Sequence, residues 1–170
     1  GGNDSAILSG GIAAAGTVDM GAGADYLQIL TAGATGAGVE IILGTGNDEL
    51  ELDVNLGTDS VTIDLGGGND IVDIDVGQTA THVIENFGSG DLLDLGTLNM
   101  TGTLDVTLYT SATDAQSAIT GAVTGSEVSV ALHDNGTDID LYIDTNNTGT
   151  HDMIITIDSI SSISASQIDL

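Results

Sequence analysis

Aspartates that close glycine turns recur through the first half of the chain: Asp4, Asp25, Asp48, Asp70 and Asp91, nearly evenly spaced. Three of these turns are near copies of one another. Gly44-Thr-Gly-Asn-Asp48 runs into Glu49-Leu-Glu-Leu-Asp-Val54, Gly66-Gly-Gly-Asn-Asp70 into Ile71-Val-Asp-Ile-Asp-Val76, and Gly21-Ala-Gly-Ala-Asp25 into Tyr26-Leu-Gln-Ile29. A short carboxylate held at a fixed place in a turn is a hard oxygen donor. Glycines adopt the positive φ angles that aim backbone carbonyls at the same spot. This pattern supports binding of a divalent cation that prefers oxygen ligands, and Ca2+ is the expected ion.

The composition asks for such a partner. The chain has 170 residues, 26 Asp and Glu, and no Lys or Arg, giving a formal net charge of -26. Salt bridges are therefore confined to the terminal amine and any protonated His. Clustered carboxylates raise one another's pKa unless an opposite charge compensates, and here that charge has to come from outside the chain. The same absence excludes function classes. Binding to a phosphate backbone needs cationic side chains, and so does adhesion to anionic lipid, so nucleic acid is not an expected partner. No apolar run is long enough to span a bilayer as a helix, and membrane insertion is not expected. Without Cys there is neither a disulfide nor a thiolate metal site. His-Glu-x-x-His and Gly-x-Ser-x-Gly are both missing, and the chain is expected to be non-enzymatic. His82, His133 and His151 are scattered and are expected at the surface.

The turns have to be positioned by the stretches between them, and these alternate with period two. Leu50, Leu52 and Val54 share one face, then Val61, Ile63 and Leu65, then Val72, Ile74 and Val76. Glu51, Asp53, Thr62, Asp64, Asp73 and Asp75 take the other face. A weaker turn, 55–59, lies midway between Asp48 and Asp70. Two strands and two turns in each period of about 22 residues describe one coil of a flattened solenoid. Residues one period apart then become neighbours at about 4.8 Å. The expected fold is all-β: a parallel β-roll, or β-solenoid, over residues 1–95, then a small β-rich cap with one short helix over 96–170. The five turn aspartates would all lie on one edge. On the opposite edge (14–16, 34–38, 57–59 and 77–80) only Asp59 offers a carboxylate, so metal is expected on one edge alone. Phe87, the single Phe, is expected to plug the last layer. Beyond Gly96, Leu104, Val106 and Leu108 read as one face of a strand and 111–119 as a helix. A hairpin is expected about Asp134-Asn-Gly136, and a further strand over 153–157. The opening Gly1-Gly-Asn-Asp4, already inside a repeat, is expected to mark the C-terminal part of a longer protein.

The turn repeat resembles the repeats-in-toxin (RTX) nonapeptide, Gly-Gly-x-Gly-x-Asp-x-U-x, with U a large aliphatic residue. Gly44, Gly46, Asp48 and Leu50 match its second, fourth, sixth and eighth positions. So do Gly66, Gly68, Asp70 and Val72, and Gly21, Gly23, Asp25 and Leu27, while Gly2, Asp4 and Ala6 match in part. The chain departs from the pattern at the first Gly, replaced by Met20, Leu43 and Leu65, and at Asp91, which is displaced by one. Its half-coils, at half the period, are also longer than the nonapeptide. The resemblance implies Ca2+ held between turns of successive coils and export through a type I secretion channel. The tail is similar to the C-terminal export region of such proteins. Within it Asp144, Asn146, Thr148 and Asp152 have EF-hand-loop spacing, with Gly149 at the sixth place and Ile155 where the bidentate Glu belongs. The expected function is a Ca2+-dependent structural module of an exported, extracellular cell-surface protein: a surface-layer or surface-fibre subunit that self-associates into a sheet or fibre. The alternatives are the export and folding module of a larger secreted exoenzyme, or an adhesin segment.

Overall fold

The computed structural model describes residues 1–10, 12–30, 38–53, 60–75, 81–98, 100, 102–121, 128–146 and 148–170. The strands in order are β1 (Ser5–Leu8), β2 (Thr17–Asp19), β3 (Tyr26–Ile29), β4 (Val39–Ile42), β5 (Glu49–Leu52), β6 (Val61–Asp64), β7 (Ile71–Ile74), β8 (His82–Glu85) and β9 (Leu92–Asp94). Then come β10 (Thr103–Tyr109), α1 (Ala112–Gly121), β11 (Val128–Asp134), β12 (Ile139–Ile143), β13 (Met153–Ile157) and β14 (Ile168–Asp169).

The alternation decides which way each short strand faces. β5 buries Leu50 and Leu52 and turns Glu49 and Glu51 outward, and β6 buries Val61 and Ile63 and turns Thr62 and Asp64 outward. Odd-numbered strands pair in parallel as β1-β3-β5-β7-β9, and even-numbered ones as β2-β4-β6-β8. The register sets Tyr26 beside Glu49, Glu49 beside Ile71 and Ile71 beside Leu92, so each partner lies one sequence period further along. This is a parallel β-solenoid with coils of about 22 residues. The inward rows of its two sheets meet in a core of Leu27, Ile41, Leu50, Ile63 and Val72, each at most 1% exposed.

The second half of the chain extends both sheets. β13 pairs in parallel with β8, and β12, β11 and β10 follow, so the even sheet reaches eight strands. β14 pairs with β9 and makes the odd sheet six-stranded. One hydrophobic cluster accordingly runs from Leu27 to Ile168. Helix α1 packs Ala115 and Ile119 on Ala131, beside Tyr109 and Tyr142. It is the one α-helix among the described residues, and no described helix is long and apolar enough to cross a membrane.

Several expectations meet a different local structure. Register shifts in β10 between Asp105 and Leu108 carry Val106 out of the row of Leu104 and Leu108, leaving it 51% exposed. The shift leaves two extra residues on β10, Val106 and Thr107, with no residue of β11 opposite them, and both are exposed. The hairpin between β11 and β12 closes through four residues, Asn135 to Asp138, because Asp134 pairs with Ile139. His82 is not at the surface: it heads β8 facing inward and is 2% exposed. Phe87 is buried, as the plugging role requires. Val54, Val76, the turn 55–59 with Asp59, and residues 34–37 and 77–80 lie outside the described residues, so the expected bareness of the opposite edge falls largely there.

Candidate metal centre

The glycine turns stack directly on one another. Gly46 has a φ of +144°, and a Cβ placed on it would sit 1.6 Å from the Gly23 carbonyl oxygen of the neighbouring coil. Gly44, at φ +103°, would meet the Gly21 oxygen at 1.8 Å. Both angles favour glycine, and both approaches exclude any side chain. The Thr45 N–H donates to Gly21 O and the Gly67 N–H to Gly44 O, each at 2.9 Å, while the Gly23 N–H donates to Thr45 O at 2.8 Å. The turns therefore form a small parallel ladder of their own, and each carbonyl in it keeps a second lone pair.

That ladder sets the aspartates one above another. Asp25, Asp48, Asp70 and Asp91 are 4, 2, 1 and 4% exposed, whereas Asp4, in the first coil, is exposed. Each carboxylate reaches back one coil with Oδ1. Asp25 accepts from the Asp4 N–H at 2.7 Å, Asp48 from Asp25 N–H at 2.7 Å, Asp70 from Asp48 N–H at 2.8 Å and Asp91 from Asp70 N–H at 2.9 Å. The second oxygens differ. Oδ2 of Asp25, Asp48 and Asp70 is buried with no hydrogen-bond partner among the described residues. Oδ2 of Asp91 accepts the Gly88 N–H at 2.6 Å, so both of its oxygens have a partner. The displaced glycines of the turn before Asp91 have this consequence.

An orphaned buried acceptor costs about 1–3 kcal/mol, and a charged one more. Burial raises the pKa of Asp48, against the lowering effect of the Asp25 N–H bond, and the Asp25 charge adds to the rise. For Asp70 burial is again the largest cause, opposed by the Asp48 N–H, and the charges of Asp91 and Asp48 help push it up to about 6. A cation meeting these oxygens would reverse both penalties at once. The available donors are carboxylate and carbonyl oxygens, which suit Ca2+ or Mg2+ rather than a softer metal. Gly21, Gly23, Gly44, Gly46, Gly66 and Gly68 lie in the same stack and fit the role of carbonyl donors.

Neither a protein-family model nor a curated protein matches the chain.

A second acidic feature lies on the outward face of the six-stranded sheet. Register puts Gln28, Glu51, Asp73 and Asp94 in one row. Ligand atoms of Glu51, Asp53 and Asp75 lie within 4.8 Å of one another, which makes this trio a possible metal-binding cluster. Neutral donors soften the repulsion: Gln28 Nε2 donates to Glu51 at 3.1 Å and Asp53 at 2.6 Å, and the Tyr26 hydroxyl donates to Glu51. The hydrogen bond to Glu51 raises the Tyr26 pKa to about 12. A hydrogen bond with Asp75 raises the pKa of Asp53. Asp73 is raised to about 6, by burial first and then by Asp75, Asp94, Glu51 and Glu49. These residues read in sequence only as an outward face; aligning coils by their period would have gathered them.

The loop after β12 is closed by its own N–H groups. Asp144 accepts from the Asn146 and Thr148 N–H groups at 3.3 and 3.2 Å through Oδ1, and from the Gly149 N–H at 2.7 Å through Oδ2. Asp152 Oδ1 accepts from Thr145 N–H and Oγ1. Asn146, Thr148 and Asp152 are exposed, and Asp144 is buried. Both oxygens of Asp144 are thus engaged there, whereas Oδ2 of Asp25, Asp48 and Asp70 has no partner among the described residues.

Proposed function

We propose that the chain is a non-enzymatic, Ca2+-dependent structural module of an exported bacterial cell-surface protein, folding and self-associating into a sheet or fibre when it meets extracellular Ca2+. The reading is carried by one observation: Asp25, Asp48 and Asp70 are stacked and buried, each with an oxygen that has no partner among the described residues, in a chain that has no Lys or Arg. Resemblance of the glycine turns to RTX repeats supports calcium as the ion and type I secretion as the route. With little calcium, as in the cytosol, carboxylate repulsion keeps the chain loose enough to thread through a channel. Outside, the ion enters between turns and joins successive coils.

The experiment starts from the chain in EGTA and adds Ca2+, with Mg2+ as the comparison. Circular dichroism should gain β signal with Ca2+, and negative-stain microscopy should then show sheets or fibres. A β spectrum and a melting temperature both unchanged by Ca2+ would sink the calcium-dependent fold, while a folded chain that stays monomeric would remove the assembly part alone.

A further inference from the structure

We propose that His82 is an acid-sensitive latch between the coiled half of the chain and the strands that follow it. Its position is the seam itself. β8 is where the eight-stranded sheet passes from coils to C-terminal strands: Val83 pairs with Thr62 of β6 on one side, and His82 with Ile155 of β13 on the other. The ring is 2% exposed. Nδ1 accepts the Val61 N–H at 3.2 Å, so the neutral ring carries its proton on Nε2. Nε2 is buried with no hydrogen-bond partner among the described residues.

Among the described residues, the surroundings offer a charged ring no compensation. Inward side chains of β6 (Val61, Ile63), β13 (Ile155, Ile157) and the six-stranded sheet (Val72, Ile74, Leu93) are buried hydrocarbon. The titratable groups of these strands, Asp64, Glu85, Asp73 and Asp94, alternate to the outward side, and β13 has none. Protonation has to occur at Nδ1. The ring N–H and the Val61 N–H would then point at each other, and a cation would lie in a dry layer. The latch as proposed opens at the pairing between β8 and β13, where His82 meets Ile155.

The sign follows from the direction of the shift. Burial lowers the His82 pKa from 6.5 to about 4. A histidine lowered in the closed form takes its proton more readily once opened. Closure is therefore fully favoured above 6.5 and weakens as the pH falls toward 4. The full window corresponds to at most roughly 300-fold in the closed-to-open ratio.

Amide hydrogen exchange on the Ca2+-saturated chain, corrected for intrinsic rates, tests this between about pH 7 and about pH 4.5. β13 and β8 should lose about tenfold or more in protection while β3 and β5 keep theirs, and His82→Leu should abolish the difference. Ring-nitrogen chemical shifts of the unmodified chain provide a readout that does not depend on the variant folding: His82 should stay neutral, protonated on Nε2, well below 6.5. Equal loss in β5 and β13, unchanged protection of β13, the same loss in His82→Leu, or a ring that titrates near 6.5 would each overturn the latch.

Discussion

Asp48 is the residue on which opposing forces meet most directly. It accepts one N–H from below, donates one to Asp70 above, and at 2% exposure its Oδ2 has no partner among the described residues. Removing its charge should therefore change stability in opposite directions with and without metal. Asp48→Asn keeps the Oδ1 acceptor, so in EGTA it should be more stable than the parent by about 1–2 kcal/mol, since a buried unpaired charge is gone. In Ca2+ it should be less stable. Urea unfolding under both conditions measures this, and a change of the same sign in both would contradict the metal role. Asp70 adds a pH test. Its pKa is raised to about 6 from the usual 3.8, so the cation-free fold takes up a proton before the unfolded chain does. Stability in EGTA should rise as the pH falls through 6 toward 3.8, and be lost again as the pH rises. Asp73 acts in the same sense, and the lowered pKa of His82 acts against both. Asp70→Asn should flatten the profile relative to the parent; equal profiles would remove Asp70 from the account. The stacking of these carboxylates was legible in the sequence, because glycine spacing fixed which residues share an edge. That Asp91 spends both oxygens on N–H groups was not, because it depends on where Gly88 turns.

At the scale of elements, alternation was a reliable guide wherever one face of a strand is buried. Leu50 with Leu52, and Val61 with Ile63, sit inside as their spacing requires, since a slip of one residue would expose the whole row. The guide failed where the strand has no such constraint. Val106 is turned outward by the shift in β10, and β14 is only two residues long, too short to carry a pattern. Yet β14 covers the edge of β9, with Ile168 only 6% exposed. Exposed edges invite pairing with other chains, so this short strand serves stability and solubility together. Ile168→Ala should lower the unfolding free energy by about 2 kcal/mol, the low end of the usual range, because a chain end can relax. It should also increase aggregation, read by urea titration and light scattering. A variant indistinguishable from the parent would show that β14 contributes nothing at that edge.

For the molecule as a whole, charge decides the conditions under which the fold persists. A net charge of -26 with no Lys or Arg adds self-repulsion to the conformational entropy that opposes the parallel stack. At a free Ca2+ about ten times the dissociation constant, each site adds about 1.4 kcal/mol. Three sites of the kind built on Asp25, Asp48 and Asp70 would add about 4 kcal/mol, a large share of a domain's usual 5–15 kcal/mol or so. For a chain of this size that corresponds to roughly 10 °C in melting temperature. The most direct test is therefore thermal unfolding of the unmodified chain in about millimolar Ca2+ and in EGTA. The melting temperature should be higher by about 10 °C or more with Ca2+, or there should be no cooperative transition at all in EGTA. Superimposable transitions in the two conditions would contradict it.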